Sequence, residues 1–174
     1  VTVNPAGTKV YVTNYNNVSV INTTANTVTT NVNVGSGPVG VAINPAGTKV
    51  YVTNWNNNNV SVINTATNTV TANVNVGSGP VGVAVNPSGT KVYVTNDLSN
   101  NVSVINTTTN NVTASVNVGA GPWAVAINPA GTKVYVTKGN GVEYNNISVI
   151  DTVTNTVIAS VNVGLGAYGI AVNP

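Results

Sequence analysis

Apolar and polar residues alternate along most of this chain. In Lys49-Val50-Tyr51-Val52-Thr53, Val50 and Val52 share one face, and Lys49, Tyr51 and Thr53 share the other. Period two, with β-branched and aromatic residues, predicts a strand. The same reasoning predicts strands at 60–64 and 69–76, the latter alternating Thr or Asn with Val or Ala. A fourth runs over 81–85, with larger residues on one face and Gly82 and Ala84 on the other. No window carries the i, i+3, i+4 spacing of a helix. Asn44-Pro45-Ala46-Gly47 has the residue preferences of a type I turn and predicts a hairpin into Lys49-Val50-Tyr51. Gly77-Ser78-Gly79-Pro80 is a second breaker, suited to a crossing between sheets.

This unit recurs. Asn4-Pro5-Ala6-Gly7-Thr8-Lys9-Val10-Tyr11-Val12-Thr13-Asn14 returns at 44–54, at 86–96 with Ser88 for Ala, and at 128–138 with Lys138 for the last Asn. A fifth copy begins at Asn173-Pro174. Four short strands per repeat of about 42 residues is the blade count of a β-propeller. The fold class expected is all-β: a propeller of four-stranded antiparallel blades, about four per chain. It would be a closed four-bladed ring, or part of a larger ring or array. The repeats span approximately 1–40, 41–82, 83–124 and 125–169 of a single domain, with an extra inner strand at 170–172. In each blade, strand A (41–43 and equivalents) is expected innermost. Gly or Ala on one of its faces lets neighbouring sheets approach. Strand B (49–53), strand C (60–64) and an outermost, polar strand D (69–76) follow.

The Asn-Pro turns start at 4, 44, 86, 128 and 173, giving intervals of 40, 42, 42 and 45. From the strand B tyrosine to the start of strand C the separations are 7, 9, 9 and 12, so all length variation lies in the B–C loop. Insertions confined to one loop map to one face, often a binding face. Strand A sequences stand at both ends, Val1-Thr2-Val3 and Ile170-Ala171-Val172, giving five for four blades. The surplus suggests a cut from a longer array, or an open edge able to pair with another chain. Beginning at Val1 inside a repeat, the chain reads as a processed product or an excised piece.

Tyr11-Val12-Thr13-Asn14, Tyr51-Val52-Thr53-Asn54 and Tyr93-Val94-Thr95-Asn96 resemble the signature of the YVTN β-propeller repeat family, and the fourth copy departs as Tyr135-Val136-Thr137-Lys138. Over its whole length the chain resembles the YVTN domain of archaeal surface-layer proteins. That resemblance implies an extracellular, cell-surface propeller, commonly of seven blades. Composition agrees: 5% of residues are charged, against roughly 25% in an ordinary soluble domain, leaving a surface of amides and hydroxyls. All five cations are lysines, and four (Lys9, Lys49, Lys91, Lys133) occupy one repeat position, where they read as solvated turn-flanking charges. With no Arg and no basic run, nucleic acid is not an expected partner. No stretch approaches 18 consecutive apolar residues, so no membrane span is expected.

Copied residues are read as structural, with the four tyrosines in the core or between blades. Departures cluster on the face bearing the B–C loops and the D-to-A crossings. Tyr15, Trp55, Asp97, Glu143 and Tyr144 lie in those loops, and Trp123 and Tyr168 begin strand A where other repeats have Val39 and Val81. Aromatic platforms beside amides suit a sugar or a partner protein. Asn17, Asn22, Asn59, Asn101, Asn106, Asn111 and Asn146 head Asn-x-Ser/Thr triplets and are candidate N-glycosylation sites. With no His or Cys there is no ordinary general base, thiol nucleophile or imidazole ligand, and only three acids (Asp97, Glu143, Asp151) occur. The chain is therefore expected to be no enzyme and to need no cofactor or metal. Its expected role is a structural and protein-interacting surface module, associating with itself, with other surface proteins or with glycans. The alternative is a carbohydrate- or protein-ligand-binding module using the aromatic-bearing face.

Overall fold

A computed structural model describes residues 1–139 and 146–173. Among the described residues sixteen strands form four antiparallel sheets, each in simple sequence order from inside to outside. The first sheet holds β1 (Thr2–Val3), β2 (Lys9–Thr13), β3 (Asn17–Asn22) and β4 (Thr27–Asn33). The second holds β5 (Pro38–Ile43), β6 (Lys49–Asn54), β7 (Asn59–Asn64) and β8 (Thr69–Asn75). The third holds β9 (Pro80–Val85), β10 (Lys91–Asn96), β11 (Asn101–Asn106) and β12 (Asn111–Asn117). The fourth holds β13 (Pro122–Ile127), β14 (Lys133–Lys138), β15 (Asn146–Asp151) and β16 (Thr156–Asn162). A 3-10 turn, Trp55–Asn57, follows β6. No helix among the described residues is long and apolar enough to cross a membrane.

The repeated turn explains itself in atoms. Asn44 Oδ1 accepts the backbone N–H groups of Thr48 (2.8 Å) and Lys49 (2.9 Å), and Gly47 N–H closes the turn on the Asn44 carbonyl (2.8 Å). Gly47 sits at φ 70°, which a β-carbon disfavours. At the outer hairpin, Asn64 Oδ1 accepts from Ala66 and Thr67 N–H, and Asn68 takes φ 53°. Asn tolerates that left-handed conformation better than most residues.

Alternation along strand B sends its two faces to two neighbours. Tyr51, Val60, Val62 and Val74 form one core with Val92, Val94 and Ile105 of the third sheet. On the other face, Val50, Val52 and Ile63 pack against Tyr11, Val18, Val20 and Val32 of the first sheet. The third and fourth sheets repeat this joint through Tyr93, Val102, Val104 and Val116 against Val134, Val136 and Ile150. The described core thus lies between successive sheets, and none of it joins the fourth sheet to the first.

Hydrogen bonds reinforce each joint. The Nζ of Lys9, Lys49 and Lys91 donates to the carbonyl oxygens of Thr65 (3.3 Å), Thr107 (3.0 Å) and Thr152 (2.9 Å) in the next sheet. The Oγ1 of Thr13, Thr53 and Thr95 donates to the carbonyls of Val39 (3.0 Å), Val81 (2.8 Å) and Trp123 (2.6 Å). Lys, Tyr and Thr of Lys-x-Tyr-x-Thr therefore all engage the following sheet. This corrects the expectation that the lysines are merely solvated; Lys9, Lys49 and Lys91 are half-buried and bridge sheets. Residues 170–172, expected as an extra inner strand, form no strand pairing. Every paired inner strand lies against a following strand B, and none follows 170–172 in this sequence.

Candidate interaction face

The B–C loops and the crossings into each sheet meet on one face. Trp55 N–H donates to the Gly37 carbonyl (2.8 Å), Asp97 N–H to Gly79 (2.9 Å) and Gly139 N–H to Gly121 (3.0 Å). The loop thus rests on the crossing that feeds its own sheet. Asn58 Oδ1 reaches the next crossing, accepting from Gly79 N–H at 3.0 Å.

The sequence-predicted aromatics fall into separate groups on this face. Half-buried Trp55 and exposed Leu98 close over Gly79, where an added β-carbon would meet Leu98 Cγ at 2.8 Å and Trp55 Cη2 at 3.2 Å. Trp123 and Tyr168 meet edge to face, 6.1 Å between centroids at 85°, above Gly139. Tyr168 is 60% exposed and so offers a ring to solvent. Tyr15 is 87% exposed. Asp97 is only 3% exposed and belongs to the packed interior of its loop. Glu143 and Tyr144 lie outside the described residues.

Beneath the loops runs a polar ladder that the sequence reading missed. The Nδ2 of Asn54 donates to Asn59 Oδ1 (2.7 Å) and Ser61 Oγ (2.9 Å), and Ser61 donates on to Asn73 Oδ1 (2.8 Å). Asn14 and Asn96 repeat the first two contacts. In the fourth sheet Lys138 takes the Asn place, and its Nζ donates to Asn146 Oδ1 at 2.8 Å. Burial pulls the Lys138 ammonium below its ordinary pKa. The terminal Asn of Tyr-Val-Thr-Asn is thus a strand-end clasp. The signal for it was the paired recurrence of that Asn with Asn17, Asn59 and Asn101 at the start of strand C.

This ladder also places the glycosylation candidates. Asn17, Asn59, Asn101 and Asn146 are half-buried, each with its amide oxygen held by the clasp. Asn22 and Asn106 cap outer hairpins through Oδ1, and Asp151 does so in the fourth copy. Two backbone N–H groups, from Thr154 and Val153, hold the Asp151 carboxyl below its ordinary pKa. Asn111 begins β12 and is exposed.

A cleft of about 260 Å³ opens between the first two sheets, lined by Asn33, Gly35, Asn57, Asn59, Ser61 and Asn73 among others. Its amides and hydroxyl suit a neutral polar molecule or water. Among the described residues no three His, Cys, Asp or Glu side chains gather as a metal site.

Residues 40–168 match the YNCE-like beta-propeller family. The chain belongs to that family. Similar solved structures include hydrazine synthase of Kuenenia stuttgartiensis, with 24% identity and a TM-score of 0.88 over 93% of this chain and 48% of that one. A functionally unknown protein from Desulfotomaculum acetoxidans DSM 771 is 19% identical, with a TM-score of 0.81 over 94% of this chain and 56% of that one. This YNCE-like chain thus spans about half the length of these structures, and the likeness shows the fold alone. No protein of curated function matches it.

Proposed function

We propose that this chain is a non-enzymatic, extracellular, surface-layer-like propeller module whose work is structural and protein-interacting. One observation carries the reading. The joint made by Lys-x-Tyr-x-Thr recurs three times with the same partners, so the repeat's distinctive residues are spent on joining sheets. The resemblance of its Tyr-Val-Thr-Asn copies to archaeal surface-layer repeats and its uncharged surface support the location. Antibody raised against the chain is expected to label intact cells of the source organism. Labelling that requires permeabilised cells overturns the reading.

A second reading is favoured by the Trp123–Tyr168 pair, whose exposed Tyr168 ring offers a platform for a sugar or a partner protein. Here Trp123 emission shifts on titration with a neutral oligosaccharide, and Tyr168→Ala abolishes the shift. An unchanged spectrum across a glycan panel removes this reading.

A further inference from the structure

The hydrogen bonds around the cleft between the first two sheets are one-sided. Asn57 Oδ1 accepts from Ser36 N–H, Asn59 Oδ1 from Asn54 Nδ2 (2.7 Å), and Asn73 Oδ1 from Ser61 Oγ (2.8 Å). A backbone N–H can only donate, so Asn57 must turn its oxygen to Ser36 and keep its Nδ2 out of that bond. Among the described residues, the Nδ2 groups of all three donate to nothing in the protein. Asn57 and Asn73 are exposed, Asn59 is half-buried, and all three line the cleft. Val34 and Val70, both half-buried against the core between these sheets, line it too. The cleft therefore offers unused amide donors beside valine methyls, with no charged residue among its described lining.

The repeat supplies a control. In the third sheet Ser99 stands in the place of Asn57, and its hydroxyl accepts the equivalent Ser78 N–H at 2.7 Å. Ser115 stands in the place of Asn73, opposite Ser103 as Asn73 is opposite Ser61. Serine thus meets the structural need at both positions, and what asparagine adds in the second sheet is a spare Nδ2 group. The first sheet keeps Asn17 and Asn31, but its B–C loop is two residues shorter and has no counterpart of Asn57. The fourth sheet has Ser160 in the place of Asn73. Among the described residues only the second sheet assembles all three amides.

We propose that this cleft binds the acetamido group of an N-acetylated sugar. The ligand must be rich in acceptors and uncharged, because the wall donates and carries no charge to offset one brought in. The acetamido carbonyl accepts from the Nδ2 groups of two asparagines, and its methyl packs on Val34 and Val70. One carbonyl oxygen has two lone pairs for three amides, so the third amide needs a further acceptor, which a ring hydroxyl supplies. An acetylated lysine carries the same carbonyl and methyl on an apolar stem and leaves that third amide unpaired. The volume of about 260 Å³ lies below the roughly 300–1,000 Å³ of ordinary small-molecule sites, which limits the occupant to about one sugar unit. The inference goes beyond both readings above, and no residue it uses belongs to the Trp123–Tyr168 platform.

The test is a proton–nitrogen correlation spectrum of the whole chain titrated with N-acetylglucosamine. The side-chain amide signals of Asn57, Asn59 and Asn73 are expected to shift and saturate, and glucose, which lacks the acetamido group, is expected to leave them in place. Asn57→Ser and Asn73→Ser copy what the third sheet already carries, so both variants fold. Each loses one donor and should weaken binding about 5–10-fold. Tyr168→Ala, which judges the aromatic platform, should leave binding at the cleft unchanged. Amide signals unmoved at the solubility limit of N-acetylglucosamine overturn the proposal and leave the cleft to water. Equal shifts with glucose overturn the acetamido assignment, and tighter binding of N-acetyllysine amide overturns the sugar. An affinity that both serine variants leave unchanged places the sugar elsewhere and overturns the site.

Discussion

The ammonium of Lys49 donates to the carbonyl oxygen of Thr107 across the boundary between the second and third sheets, at 3.0 Å. Lys49→Met removes a charged donor from the carbonyl of buried Thr107, which typically costs about 1–2 kcal/mol. Lys133 is exposed, and Lys133→Met should change stability by less than ~0.5 kcal/mol. Urea unfolding of both variants checks the contrast. Equal losses would mean that the lysines act through their turns and not through the joint.

Thr53 serves two sheets at once. Its Oγ1 accepts from Gly40 N–H at 2.7 Å and donates to the Val81 carbonyl at 2.8 Å. Thr53→Val keeps the shape and orphans both groups, at a cost of roughly 2 kcal/mol or more, and Thr53→Ser restores most of it. The adjacent Gly40 allows the close approach, since a β-carbon there would collide with the Val81 carbonyl. Gly40→Ala should cost about 1–3 kcal/mol by forcing the sheets apart. Thermal melts order these variants.

Burial pushes the Tyr11, Tyr51 and Tyr93 hydroxyls above their ordinary value of 10.0, and the Asp151 charge pushes Tyr93 further. Each has a folded pKa above its unfolded one. The stability they contribute is therefore intact below about pH 10 and is lost as pH rises through the folded values. Absorbance at 295 nm should show their ionisation coinciding with loss of β dichroism. Among the described residues their hydroxyls have no hydrogen-bond partner, so Tyr51→Phe should be near neutral at pH 7 and raise the alkaline midpoint.

Asp151 shows the opposite sign. Its depressed pKa gives stability that is present above the ordinary carboxylate range and lost as pH falls through the folded value. Asn22, Asn64 and Asn106 make the same cap without a charge. Asp151→Asn should therefore match the original at pH 7 and remove this part of its acid sensitivity. An acid unfolding curve that the variant leaves unmoved would contradict the assignment.

Local pattern made the blades legible. Val50-Tyr51-Val52 announced a strand, Asn44-Pro45-Ala46-Gly47 its turn, and the 42-residue interval the number of sheets. The shared face of the B–C loops and crossings followed from the up-and-down order of strands in a blade. The role of Lys49 did not follow. Its acceptor is a backbone carbonyl 58 residues away, and carbonyls leave no mark in a sequence. For the same reason Thr53 read only as the polar side of a strand, although stacking buries both sides. The aromatic face was legible as a set of departures, but not as Trp55 and Leu98 closing over Gly79 or as the Trp123–Tyr168 pair. Those contacts depend on loop paths that no repeat dictates.

The central claim is that identical joints between sheets hold this molecule together, so protection should follow the number of joints a sheet makes. Amide hydrogen exchange on the monomer measures this strand by strand. The account predicts slowest exchange in β6, β7, β10 and β11, with joints on both sides, and faster exchange in β2, β3, β14 and β15. Uniform protection across the four sheets, or greatest protection in the first or fourth, would contradict it.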